Sequence, residues 1–81
     1  SGRIEGRVLP RAADPIVKAI IGSDTATAIP EDDGEFKIVG LRAGTYQLLI
    51  YGQNNFRDTL IGNVIVRNNE DTHVPTVTLR Q

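Results

Sequence analysis

The feature that most constrains this chain is a two-residue alternation of apolar and polar side chains, recurring in short runs and broken each time by turn-forming residues. In Ile4-Glu5-Gly6-Arg7-Val8, in Phe36-Lys37-Ile38 and in Tyr46-Gln47-Leu48 successive side chains switch sides, the pattern of a half-buried strand. No stretch of ten residues carries the i, i+3, i+4, i+7 stripe of an amphipathic helix. Seven segments share the period, at 3–9, 16–22, 26–30, 35–39, 45–51, 60–67 and 73–80, and they predict an all-β fold.

The interruptions sharpen that expectation. Pro10 and Pro15 bracket a stretch that cannot continue a ladder, because proline has no N–H to donate. Ser23-Asp24-Thr25 reads as a tight turn, Asp33-Gly34 as a hairpin turn, and Gly40 to Gly44 as a reversal in which Leu41 folds back to cap the core. Residues 31–52 therefore read as a central hairpin, and Asn68 to Asp71 as the close of a last hairpin. The predicted architecture is a seven-stranded antiparallel Greek-key β-sandwich of Ig-like layout, filling residues 1–81 as one domain of a longer chain. Its buried face takes Ile4, Val8, Ala19, Ile21, Phe36, Ile38, Tyr46, Leu48, Ile50, Val64, Val66, Val77 and Leu79. Glu35, Lys37, Thr45, Gln47, Arg67, Thr76 and Thr78 face water. The letters Ile4-Glu5-Gly6-Arg7 also spell the recognition sequence of a tag-removing protease, but their alternation makes them a strand.

Composition removes several function classes. With no Cys and one His in 81 residues, neither disulfides nor the usual structural zinc sites are within reach. A net charge of −1, from nine basic and ten acidic residues spread along the chain, offers no field for nucleic acid or an anionic membrane. No apolar run approaches the ~20 residues of a membrane-spanning helix, so no direct membrane insertion is expected.

One stretch carries a family likeness. Asp32 to Ile50, "DDGEFKIVGLRAGTYQLLI", with Gly34, Phe36, Gly40-Leu41, Gly44 and Tyr46 in place, resembles the carboxypeptidase regulatory-like domain, a transthyretin-like (prealbumin-like) sandwich. The upstream "IEGRV" and "PIVKAII" and the downstream "NVIVRNNEDTHVPTVTL" are similar to that family's first, second and last strands, so the likeness covers about residues 3 to 80. It implies a non-catalytic accessory module of an extracytoplasmic bacterial protein, in the cell envelope, at the surface or secreted. Such modules accompany metallocarboxypeptidases, TonB-dependent receptors and surface lipoproteins. Where family members often carry Thr-Asp, this chain has Ile29-Pro30-Glu31, and Pro30 marks an edge or a strand end.

Candidate chemistry is sparse. Glu31, Asp32, Asp33 and Glu35 lack the EF-hand spacing and read as a solvated turn, with weak calcium binding as the alternative. His73 has no second His or Cys beside it, and Ser23 sits in no nucleophile elbow. No catalytic residue, metal ligand or cofactor is expected. Pilin-type sandwiches that join Lys to Asn by an isopeptide bond share "GTYQL"-like strands, but Ile50 stands where their Glu moves the proton. Interaction candidates remain. Val39, Leu49 and Tyr51 fall on the outward side of the expected central hairpin and predict contact with an adjoining domain of the same polypeptide or a surface protein partner. Tyr51 and Phe56 flank "GQNN", whose amides suit sugar hydroxyls, so the 51–58 loop is the alternative, a glycan or small-ligand site.

Overall fold

The computed structural model describes every residue from Ser1 to Gln81. Eight strands form: β1 (Gly2–Leu9), β2 (Ile16–Ile21), β3 (Asp24–Ala28), β4 (Glu35–Leu41), β5 (Gly44–Tyr51), β6 (Thr59–Val66), β7 (Asp71–His73) and β8 (Val77–Thr78). They make two sheets. In the first, β1 lies between β4 and β7 and also pairs with β8; the second has the order β3-β2-β5-β6. The eighth strand arises because the expected 73–80 segment divides at Val74-Pro75-Thr76, where Pro75 cannot donate to a ladder. The pairing is not wholly antiparallel, because β1 runs parallel to both β7 and β8.

The region expected to be a central hairpin is instead an arch. β4 pairs with β1, whereas β5 pairs with β2 and β6, so the two strands face each other across the core rather than sharing a ladder. Arg42 and Ala43 carry the chain from sheet to sheet. The reversal at Asn68 to Asp71 is likewise a crossing, from β6 in the second sheet to β7 in the first, with Asn69 left-handed at φ 60° and its N–H donating to the Ser1 carbonyl oxygen (2.8 Å). True hairpins join only β2 to β3 and β5 to β6. The first turns on Gly22-Ser23 rather than Ser23 to Thr25, since Ile21 pairs with Asp24, and Gly22 supplies the positive φ (56°) that a two-residue turn of this kind places first.

Fourteen apolar residues from both sheets fill the interior. The expected core holds except that Ile21 and Val77 are partly buried, and the cap residue Leu41 is buried as anticipated. Two members were not foreseen. Val17 shares the parity of Ala19, and Ala13 sits on the 3-10 turn Arg11–Ala13, which connects β1 to β2 and buries Ala13 in the core. Pro30 falls beyond the end of β3, the strand end that its missing N–H requires.

Candidate docking face

The two outer faces of the sandwich differ in kind. On the first sheet, β1 presents Arg3, Glu5 and Arg7, β4 presents Glu35 and Lys37, and β7 presents Asp71 and His73. All of these but Lys37 take part in ion pairs. Arg3 Nε lies 2.9 Å from Asp71 Oδ1, Arg7 Nη2 donates to Glu35 Oε1 at 2.8 Å, and His73 Nδ1 is 3.4 Å from Glu5 Oε1. Exposed pairs like these contribute little to stability, but they make a face that water wets.

The second sheet's outer face is apolar. Its register sets Lys18 beside Leu49 and Leu49 beside Leu60, with Ile16 beside Tyr51 in the next row and Ile20 beside Gln47 in the row on the other side. Ile65 stands opposite Thr45 at the far end. Ile29 follows directly on β3, whose last paired residue, Ala28, lies beside Val17. Leu60 is 59% exposed, Ile65 46% and Ile29 73%. Lys18 is the one charged side chain directed outward from within these four strands, and its ammonium lies 5.6 Å from the centre of the Tyr51 ring, inside the range of a cation–π contact. No acidic group pairs with it.

The structure thus brings together Leu49 and Tyr51 and separates Val39 from them. Val39, 64% exposed, lies on β4 in the other sheet, because the arch places β4 and β5 in different layers. Ile16, Ile20, Ile29, Leu60 and Ile65 were missed as partners of Leu49 and Tyr51. The signal was present, since 16–22 and 60–67 carry large apolar residues on both parities.

Phe56 is half-buried and packs against the core. Two of the three amides before it, Gln53 and Asn54, are engaged within the fold. Gln53 donates from its side chain to the Asp14 carbonyl oxygen (2.7 Å) and from its backbone to that of Ala13 (2.8 Å), and Asn54 donates to the Ala12 carbonyl oxygen (2.8 Å). Through Gln53 and Asn54 the 51–58 loop clasps the Arg11–Ala13 turn and the Asp14 that follows it.

In the acidic turn three of the four carboxylates have partners. Asp33 accepts the Glu35 backbone N–H (2.9 Å), Asp32 lies 3.4 Å from Arg11, and Glu35 is held by Arg7. A different trio, Glu5, Asp71 and His73, brings its ligand atoms within 4.8 Å of one another, but the Arg3 guanidinium already contacts both carboxylates. Between the sheets, a cleft of ≈ 260 Å³ opens beside β3 and is lined by Ala19, Ile21, Leu41 and Tyr46, with Asp24 and Arg42 paired 3.2 Å apart at its edge. The core contains no buried polar or charged residue.

A scan against protein-family models finds no match, and a search of curated proteins finds none either. Among solved structures, the fold is similar to a chain in each of two interface mutants of a type II Cohesin-X-Dockerin complex from Acetivibrio cellulolyticus. The C-terminal mutant gives a TM-score of 0.74 at 23% identity and the N-terminal mutant 0.70 at 21%, each over 98% of this chain. The likeness establishes a β-sandwich. Carboxypeptidase regulatory-like domains are β-sandwiches too, and the match reaches no finer than that shared architecture. This chain spans 57% of each matched chain. No helix is long and apolar enough to cross a membrane.

Proposed function

We propose that this domain is a non-catalytic docking module of an extracytoplasmic bacterial protein, a sandwich of the carboxypeptidase regulatory-like kind that holds an adjoining domain or a surface protein against its second sheet. One observation carries the reading: the first sheet's outer face is ion-paired, while the second's is apolar across β2, β5 and β6. Contiguous exposed apolar patches mark interaction sites in soluble proteins. That the matched chains belong to structures of protein complexes agrees with this reading.

Side-chain footprinting with hydroxyl radicals, performed on the natural full-length polypeptide in its native setting, tests the reading. Leu60 and Ile65 should be modified far more slowly than Val39, although all three are exposed in the domain itself. Equal reactivity of the three, scaled to side-chain type, would mean that nothing covers the second sheet.

A further inference from the structure

Resting on the docking reading above, we infer that the occupant of the second sheet is a different protein surface bearing a carboxylate that meets Lys18, and not a second copy of this chain. Lys18 stands within the apolar rows, between Thr27 on β3 and Leu49 on β5. The Tyr51 ring holds its ammonium over the patch. An exposed lysine normally keeps its charge in water by extending to a rim. Coverage of this face traps the charge instead, and an ammonium buried without a counter-charge is costly.

The domain cannot supply that counter-charge. The outward positions of β2, β3, β5 and β6 are otherwise Ile16, Ile20, Thr25, Thr27, Thr45, Gln47, Leu49, Tyr51, Leu60 and Ile65, none of them acidic. The acids flanking or within these strands are engaged: Asp14 Oδ2 accepts from Gln53 Nε2 (3.3 Å), Asp24 pairs with Arg42, and Asp58 accepts the Gly52 N–H. Two copies meeting through this face would bury two lysines and no carboxylate. The complementary surface is therefore apolar, with one Asp or Glu set within it, and the charge pair fixes the register in which the two surfaces meet.

Zero-length carbodiimide coupling reads this contact directly, because it condenses a lysine amine with a touching carboxylate into an amide, with loss of water. Applied to the natural full-length polypeptide in its native setting and followed by peptide mass spectrometry, it should join Lys18 to an Asp or Glu outside residues 1–81. A Lys18→Glu variant should in addition restore radical modification of Leu60 by about tenfold, as expected for reversing a buried interfacial charge, while Lys18→Arg leaves Leu60 protected. Coupling of Lys18 only to acids within residues 1–81, or protection of Leu60 that Lys18→Glu does not disturb, would overturn the carboxylate and leave the docking reading standing. Leu60 as reactive as Val39 in the unaltered protein would overturn both.

Discussion

The phenolic hydroxyl of Tyr46 donates a 2.8 Å hydrogen bond to the carbonyl oxygen of Arg42, four residues upstream. The ring is buried in the core and its tip ties down the crossing from β4 to β5, the arrangement called a tyrosine corner in other sandwiches. Tyr46→Phe keeps the ring and removes the tie, and should cost about 0.5–1.5 kcal/mol. For a domain of this size, each kcal/mol lowers the melting midpoint by roughly 4–8 °C. Thermal unfolding with no shift would show that the bond does not hold the crossing.

Leu48 and Leu60 have neighbouring inward and outward roles on paired strands. Leu48 is fully buried, and Leu48→Ala should cost about 2–5 kcal/mol in chemical denaturation. Leu60 is 59% exposed, and Leu60→Ser should change stability by less than about 0.5 kcal/mol. A large loss from Leu60→Ser would mean that the residue serves the fold rather than a partner.

Two glycines should respond in opposite ways. Gly34 has φ +89°, and a Cβ there would lie 2.3 Å from the Val8 carbonyl oxygen, against the backbone of β1. Gly34→Ala should therefore cost about 2 kcal/mol or more. At Gly62 a Cβ meets nothing within 4 Å, so Gly62→Ala should be neutral or stabilise by about 0.4–1 kcal/mol by restricting the unfolded chain. Urea midpoints of the two variants give the comparison.

The 51–58 clasp makes a graded expectation. Asn54 has φ 56° and its side chain holds the Ala12 carbonyl oxygen. Asn54→Gly loses the bond, about 1 kcal/mol, but relieves the strain of a Cβ in left-handed backbone, whereas Asn54→Ala loses the same bond and keeps that Cβ, about 1–2 kcal/mol worse than Gly. Amide exchange in Arg11–Ala13 should quicken in that order. Equal effects of the two variants would show that the side-chain bond, and not the backbone, sets the cost.

Alternation made the strands and most of the core legible, because Ile4, Phe36, Leu48 and Val66 sit at positions where period alone decides which side faces inward. It could not decide which strands share a sheet. β4 and β5 point their apolar faces at one interior whether they form a hairpin or oppose each other across an arch, so Phe36 and Tyr46 read the same in both cases. That ambiguity put Val39 beside Leu49 in the sequence reading and separates them in space. The partners of Gln53 and Asn54 lie 39 and 42 residues away, and no local pattern encodes contacts of that range. The apolar outer face was legible in principle: Ile16, Ile20, Leu60 and Ile65 make two segments hydrophobic on both parities, so their strands carry apolar side chains on both faces of the sheet.

The place of β1 bears on how the molecule comes into being. It accepts β4 along one edge and residues 71–78 along the other. During synthesis the earliest strand must therefore wait for nearly the last before its sheet is complete. Non-local closure of this kind is slow, and for that interval Ile4 and Val8 remain available to chaperones or to the wrong neighbour.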